Sequence, residues 1–147
     1  MYKRVLLPID GSELSTKAIR QAVAFAADAR AEVIGLFAAP GYHPVVYEDF
    51  VPPDFMSPEQ HKASAKKRAE RILSPLARAC EKAGVPCRTR YVIDDNPYAA
   101  IIAAAKKDKC DLIVMASHGR RGLSGLLLGS ETTKVLTHST IPVLVLR

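Results

Sequence analysis

The chain has 147 residues, of which 48% are hydrophobic, and this length and composition predict one globular domain over residues 1–147. No stretch approaches the roughly 20 apolar residues of a membrane span, and the apolar run Val5 to Ile9 is too short for a secretory signal. Cys80, Cys87 and Cys110 lack the spacing of a disulfide framework or a structural zinc site, so we expect a reduced, cytoplasmic location.

The net charge of +6 is concentrated in one segment, because residues 59–90 hold nine Lys or Arg against three Glu. Such a segment could attract nucleic acid or anionic lipid. However, it holds no aromatic residue that could stack on bases before Tyr91, and its charges recur at helical spacing. We therefore interpret it as a solvated helix face, and expect no nucleic-acid or membrane partner.

Apolar runs alternate with segments of helical periodicity, which is typical of βαβ units around a parallel sheet. The predicted strands are Lys3 to Pro8, Glu32 to Ala38, Cys87 to Ile93, Asp111 to Ala116 and Pro142 to Leu146. The predicted helices contain Leu14 to Ala26 and Ala69 to Ala83, begin at Pro97 behind the capping residue Asn96, and begin near Ser130.

Residues 40–56 interrupt this alternation with four prolines and no periodicity, and are predicted to form one long loop. Long loops in compact domains are often functional or mobile. The loop would follow the second strand at the carboxyl end of the sheet. It is either a plain connector or a lid over a site there.

Four of the eight glycines fall within residues 116–130, between the buried-looking strand DLIVMA and a helix that starts SETTKVL. Ligands of open parallel sheets bind at the carboxyl ends of strands, and helix N-termini suit phosphate. Gly119 would allow a sharp turn and Gly129 a close approach to a ligand, while Ser130 and Thr132 would add hydroxyl donors.

Arg120 and Arg121 would add positive charge to this segment, whereas Glu131 would present its backbone N–H rather than its carboxylate to an anion. The alternative is that the glycines serve only turns and a close helix–sheet contact. Spacing leaves both interpretations open.

Asp10 stands in the first βα loop, where a topological switch point of the sheet would lie. It could accept hydrogen bonds from ribose hydroxyls or bind a nucleotide-bound Mg²⁺. Alternatively, Asp10 and Glu13 form a variant of the capping box at the start of the first helix.

Several catalytic motifs are absent from the chain. It has no GxxxxGK[ST], no GxGxxG after the first strand, and PIDGSE does not match the SGGxDS loop of adenylating enzymes. His118 is interpreted as an ordinary loop histidine, and His43, His61 and His138 lack metal-ligand spacing. No catalytic constellation can be assembled.

The stretches VLLPIDGSE, LIVMASHGRRGLSGLLLGS and IPVLVLR together resemble the universal stress protein family over the whole chain. Its nucleotide-binding members carry Gly, two residues, Gly, nine residues, Gly, then Ser or Thr. Here the pattern runs through Gly119, Gly129 and Ser130, with Ala116 in place of the first glycine. The resemblance implies a Rossmann-like α/β fold with an open parallel five-stranded sheet of order 3-2-1-4-5, helices on both faces, and ATP at the strand ends, with Mg²⁺ as a possible companion ion.

The resemblance also implies which residues surround the nucleotide. The adenosine would lie near Pro8, Asp10, Ala38 and Met115, the ribose and phosphates near Ala116, Gly119, Arg120 and Gly122, and the phosphates at Gly129, Ser130, Glu131 and Thr132. The chain departs from the family pattern at Ala116, whose methyl is comfortable only at negative φ, and at Asp95, where the family often has glycine.

The terminal IPVLVLR, residues 141–147, would form an apolar edge strand, through which similar family members form homodimers. The leading hypothesis is a cytoplasmic, homodimeric, ATP-binding module of the stress response. Its nucleotide state would alter an interaction surface, for example through the 40–56 loop, with at most slow ATP hydrolysis. The alternatives are a dimeric scaffold that binds no nucleotide and, further off, an adenylating enzyme.

Overall fold

The computed structural model describes residues 1–118 and 128–147, in which strands and helices alternate. The elements are β1 (Arg4–Pro8), α1 (Glu13–Ala29), β2 (Glu32–Ala39), α2 (Pro58–Ala83), β3 (Cys87–Ile93), α3 (Pro97–Lys107), β4 (Leu112–Ala116), α4 (Ser130–His138) and β5 (Val143–Leu146). Each predicted strand is right to within one residue at either end.

The five strands form one parallel sheet in the order β3-β2-β1-β4-β5, which confirms the predicted topology. Val5 of β1 lies opposite Val33 of β2 on one side and opposite Leu112 of β4 on the other. The strand order therefore reverses at β1, and a crevice opens at the carboxyl ends of β1 and β4.

The alternation of side chains along β1 divides the core into two layers. Val5 and Leu7 pack in a cluster with the apolar faces of α1 and α2. Leu6, between them, packs in the second cluster with Ile101 of α3 and Val135 of α4. Both faces of the sheet are thus covered by helices, as continuous apolar strands require.

α2 begins well before the apolar periodicity that predicted it. Ser57 caps the helix, because its side chain accepts a hydrogen bond from the Gln60 N–H while the Gln60 side chain accepts one from the Ser57 N–H. Pro75 lies inside the helix and has no N–H to donate. The hydroxyl of Ser74 lies 3.4 Å from the Arg71 carbonyl that Pro75 leaves without its helical donor.

α2 packs close to β2 at Gly35. A Cβ at this glycine would lie 2.5 Å from Cδ2 of Leu76, which is fully buried. On the other face of α2, Lys62, Lys66 and Arg71 are exposed, as predicted for a solvated helix face. No helix within residues 1–118 and 128–147 combines the length and apolar character needed to cross a membrane.

Glu32 joins three strands at the amino edge of the sheet. Its two carboxylate oxygens accept hydrogen bonds from Arg4 of β1, at 2.8 Å, and Arg88 of β3, at 2.6 Å. The Arg88 hydrogen bond, followed by the one from Arg4, lowers the pKa of the Glu32 carboxyl below its ordinary value.

The three thiols are free. Burial raises the pKa of Cys80 to about 12 and that of Cys110 to about 11. Cys87 is half-buried, and desolvation also raises its pKa. Because the thiolate is the reactive form, these thiols are poor nucleophiles in the folded protein.

Candidate functional site

A cavity of about 490 Å³ opens at the carboxyl ends of β1, β2 and β4. Its walls include nine residues singled out from the sequence, namely Pro8, Asp10, Ala38, Met115, Ala116, Gly129, Ser130, Glu131 and Thr132. The other three, Gly119, Arg120 and Gly122, lie outside the described residues. The fold therefore brings the end of β1 with the loop after it, the end of β2, and the segment from β4 to α4 together around one cavity.

The first βα loop holds Asp10 at the cavity through a tight turn. One oxygen of its carboxylate accepts a hydrogen bond from the Ser12 N–H at 2.9 Å, and Gly11 adopts a φ of +82°. Ser12, rather than Asp10, caps α1, because its hydroxyl accepts a hydrogen bond from the Ser15 N–H. The capping-box interpretation of Asp10 and Glu13 is therefore wrong, since the helix begins further along the chain.

Short hydrogen bonds tie the end of β4 to the start of α4. The Gly129 N–H donates to the Ser117 carbonyl at 2.7 Å, and the Ser117 N–H donates to Leu146 of β5 at 2.8 Å. The Thr132 hydroxyl, 3% exposed, donates to the Ala116 carbonyl at 3.0 Å. That hydroxyl is engaged within the protein, so only the backbone N–H of Thr132 is left as a donor toward the cavity.

The amino end of α4 faces this cavity without a side-chain cap. The Thr133 N–H bonds to the Gly129 carbonyl, so the amides of Ser130, Glu131 and Thr132 precede the first hydrogen bond of the helix. No acceptor in residues 1–118 or 128–147 bonds to these three N–H groups, so they and the positive end of the helix dipole are open to an anion from that part of the chain. Gly129 has a φ of −59°, so a close approach to a ligand would be the reason for glycine here.

Ala116 closes β4 in ordinary strand geometry. Among the described residues, the non-glycine positions with positive φ are Arg30 and Lys109, so the Ala116 backbone suits a side chain. Its methyl forms part of the cavity wall at no conformational cost.

Two carboxylates at the cavity are bound to the amino end of α3. Glu131 accepts hydrogen bonds from the Tyr98 N–H and from Lys134, both at 2.9 Å. Asp94 accepts one from the Asn96 N–H at 2.8 Å. Asn96 is the N-cap residue, as predicted, but its own side chain makes no capping hydrogen bond. Glu131 thus takes the place of that side-chain cap at the Tyr98 N–H, while Asp94 holds the turn just before the helix.

Asp95 fastens the start of the long loop to the cavity rim. It accepts hydrogen bonds from the Gly41 N–H, at 2.8 Å, and pairs with His43, at 2.7 Å. These contacts, the Gly41 N–H first, lower the pKa of the Asp95 carboxyl. Gly41 allows the contact, because a Cβ there would lie 2.8 Å from an oxygen of Asp95. Asp95, which stands where the family often has glycine, therefore has a structural role in holding the start of the loop.

Sequence reasoning missed Arg68 as a residue of the cavity wall. Its guanidinium lies 5.5 Å from the centre of the Phe37 ring, and both residues line the cavity. Arg68 precedes Ile72 and Leu76 by one and two helical turns, so it stands on the buried stripe of α2. The sequence signal that could have identified Arg68 is a positively charged residue on the otherwise apolar stripe of a helix.

His118 also contributes to the wall, although the sequence suggested only a loop histidine. Its Nδ1 lies 3.1 Å from the Ser117 hydroxyl. Its Nε2 is buried and has no hydrogen-bond partner in the described part of the chain. A buried, unsatisfied ring nitrogen at a cavity is suited to a polar group of a ligand.

The cavity combines two chemical environments. Leu36, Ile101 and Met115 give it an apolar side, while the α4 amides form a polar edge. Its volume is in the range of small-molecule sites. This arrangement fits a ligand with a flat, weakly polar part and an anionic part, which is the construction of a nucleotide.

Comparisons with known proteins give a consistent result. The family model described as universal stress protein family matches residues 1–147. A universal stress protein of Thermus aquaticus is 34% identical over 147 residues, with full coverage of both chains. The solved structure of hypothetical protein MJ0577, from Methanocaldococcus jannaschii, is 29% identical with a TM-score of 0.82 and covers 99% of this chain and 96% of its own. A universal stress protein solved in complex with cAMP is 26% identical with a TM-score of 0.70, covering 99% of this chain and 97% of its own.

Proposed function

Because the chain belongs to the universal stress protein family, we propose that it binds an adenine nucleotide, ATP foremost, in the cavity between the ends of β1, β2 and β4. The observation that carries this proposal is the uncapped amino end of α4 facing a cavity with an apolar side. A related protein has been solved with cAMP, which supports the choice of an adenine nucleotide.

In this proposal the phosphates lie at the start of α4. The amides of residues 130–132 and the hydroxyl of Ser130 would donate hydrogen bonds to phosphate oxygens. Gly119, Arg120 and Gly122 are expected to complete the phosphate site. Thr132 would take part through its amide alone, since its hydroxyl bonds to Ala116.

The adenosine would lie at the apolar side of the cavity. Pro8, Ala38 and Met115 would contact the base, and Asp10 would accept a ribose hydroxyl, since a carboxylate can accept several hydrogen bonds at once. Mg²⁺ would arrive on the nucleotide, because no cluster of three metal-ligating side chains occurs within residues 1–118 and 128–147.

We further propose that nucleotide binding serves regulation in the stress response rather than turnover. Regulation requires a surface that partners contact, and β5 offers one, since its four residues are only half-buried at the edge of the sheet. A homodimer formed by pairing of residues 141–147 would cover this edge.

The second candidate, a dimeric scaffold that binds no nucleotide, is favoured by the same half-buried β5. It needs no ligand in the cavity. Titration calorimetry therefore separates the two functions.

The experiment is isothermal titration of nucleotide-stripped protein with Mg-ATP and, in parallel, with AMP. We expect saturable ATP binding that is clearly tighter than AMP binding. The variant Gly129→Val/Ser130→Ala should weaken ATP binding by at least about tenfold, because it crowds and removes donors at the phosphate edge. Thr137→Ala, at an exposed position of α4, is the control and should bind normally.

Size-exclusion chromatography of the unaltered protein and of the same variants shows whether the proposed dimer forms and whether the substitutions leave it intact. Unchanged ATP affinity in a folded Gly129→Val/Ser130→Ala protein would refute the site. If the unaltered protein is folded and takes up no ATP at millimolar concentration, the scaffold becomes the leading function. ATP turnover well above background that disappears in Asp10→Ala would instead indicate an enzyme.

A further inference from the structure

The segment between β2 and α2 presents an apolar surface to solvent. Among the described residues, ten large hydrophobic side chains are exposed, and seven of them fall between residues 45 and 56. They include Tyr47, Phe50 and Val51, each 57–61% exposed. Clustered exposed apolar side chains on a folded protein usually mark an interaction site. We call residues 44–56 the acidic-apolar surface.

The tip of this surface has a defined backbone. Tyr47 and Phe50 form an antiparallel bridge with two hydrogen bonds of 3.2 and 3.3 Å. Their ring centres lie 6.4 Å apart, so the two aromatic side chains stand together. Glu48 and Asp49 occupy the turn between them and are exposed. Two carboxylates are therefore held directly beside an aromatic pair.

A depression of about 300 Å³ lies next to the tip, lined in part by Val45, Phe55 and Met56. Its base is fixed by Tyr42, whose hydroxyl donates to the Met56 carbonyl at 2.5 Å and whose ring packs 5.5 Å from that of His61. A depression of this size is large enough to receive an apolar side chain from a partner.

The charge of the surface is opposite to that of the whole protein. Residues 40–56 contain three carboxylates, those of Glu48, Asp49 and Asp54, and no Lys or Arg, whereas the chain has a net charge of +6. Complementary charge selects partners and excludes wrong ones. The surface thus favours a cationic partner that also carries apolar side chains.

We propose that the acidic-apolar surface binds a cationic amphipathic segment of another protein. Lys or Arg side chains of that segment pair with Glu48 and Asp49, and an apolar side chain enters the depression beside Phe55. The aromatic pair of Tyr47 and Phe50 supplies the apolar contact area and a face for cations.

Two other occupants fit less well. An anionic membrane would be repelled by the carboxylates at the tip. A second copy of the chain would offer its basic α2, but no large apolar side chain of α2 is exposed to serve as an anchor. Both copies also carry a net charge of +6.

The proposal does not rest on nucleotide binding, so its test uses nucleotide-stripped protein. The surface is nevertheless connected to the cavity rim, because Asp95 lines the cavity and binds Gly41 and His43 at the start of the loop.

The probe is a fluorescent synthetic peptide of Leu and Lys at amphipathic helical spacing, whose binding is measured by anisotropy. Glu48→Lys/Asp49→Lys and, separately, Tyr47→Ser/Phe50→Ser should each weaken binding by at least about tenfold. Asp28→Lys/Glu81→Lys changes the net charge equally at exposed helical positions and should retain affinity within about threefold. Circular dichroism verifies that each variant is folded.

Several results would overturn the proposal. An equal loss in Asp28→Lys/Glu81→Lys would mean that only net charge matters. Equal affinity for a matched Leu and Glu peptide would mean that the surface does not select cations. Binding to phosphatidylglycerol vesicles that depends on Tyr47 and Phe50 would assign the surface to lipid, and self-association lost in the same variants would assign it to a second copy.

Discussion

Thr132 and Thr133 offer a direct test of how the start of α4 is held against β4. Their hydroxyls lie at the same distance, 3.0 Å, from a backbone carbonyl, that of Ala116 for Thr132 and that of Gly129 for Thr133. Thr132 is 3% exposed, whereas Thr133 is exposed. Replacing each by Val keeps the shape of the side chain and removes the hydroxyl. The two substitutions therefore differ chiefly in burial.

The expected effects depend on whether water can replace the hydrogen bond that each hydroxyl donates to its carbonyl. At residue 133, water can bond to the carbonyl, and the change in the free energy of unfolding should stay below about 0.5 kcal/mol. At residue 132, the side chain is 3% exposed, so water reaches the gap between it and the half-buried Ala116 carbonyl poorly, and the lost hydrogen bond costs about 1–2 kcal/mol. Thr and Val have similar helix propensities, so helix propensity contributes little to either change in the free energy of unfolding. For a chain of this size, the loss lowers Tm by about 3–6 °C.

Urea unfolding monitored by circular dichroism measures both variants against the unaltered protein. Equal losses of free energy in Thr132→Val and Thr133→Val would refute the reasoning, since burial would then not matter. A larger loss in Thr133→Val would show that the hydroxyl of Thr132 does not hold α4 to the end of β4.

Gly35→Ala should destabilise the fold by about 1–3 kcal/mol, because the added methyl would overlap Leu76 in a packed layer. An unchanged free energy of unfolding in urea would mean that α2 shifts away from β2 at little cost. The lowered pKa of Glu32 contributes stability that is present above the ordinary carboxyl pKa and lost as the pH falls through the folded value. Glu32→Gln should therefore lose less unfolding free energy than the unaltered protein between about pH 6 and pH 3, and an identical pH dependence would contradict this. Iodoacetamide at pH 8 should label the half-buried Cys87 before the other two thiols, read out by peptide mass spectrometry, and faster labelling of either buried thiol would indicate local opening.

Strands β1, β2, β4 and β5 were predictable because a sheet covered on both faces requires continuous apolar runs, and these are visible in the sequence. The edge strand β3 carries such a run only in its second half, Tyr91 to Ile93. The start of α2 was missed, since its first turns are polar and depend on the Ser57 cap rather than on an apolar stripe. The placement of a cap is a local choice among competing residues. For the same reason, Asp10 could not be separated from Ser12 as the cap of α1.

The location of the cavity at the carboxyl ends of the strands was predictable, because parallel strands end at the same edge of the sheet. The same argument predicted that the first βα loop and the segment from β4 to α4 would line it. The residues that long-range packing brings there were not. Arg68 reaches the cavity only because α2 crosses β2, and Asp95 acquires its role only through Gly41, which lies 54 residues earlier in the chain. Periodicity along α2 indicates that Arg68 faces inward, but it carries no information on which other elements the side chain meets there.

The hydrogen bond from Gly129 to Ser117 has a consequence for how such a protein can diverge. It joins the two ends of the chain segment between β4 and α4, so the strand and the helix keep their places whatever lies between them. Lengthening this segment by four residues would add only about 0.3 kcal/mol to its closure cost. Under the proposed function, sequence change there would alter ligand choice while the sheet, both core layers and the start of α4 persist, so that new specificities could arise within one inherited framework.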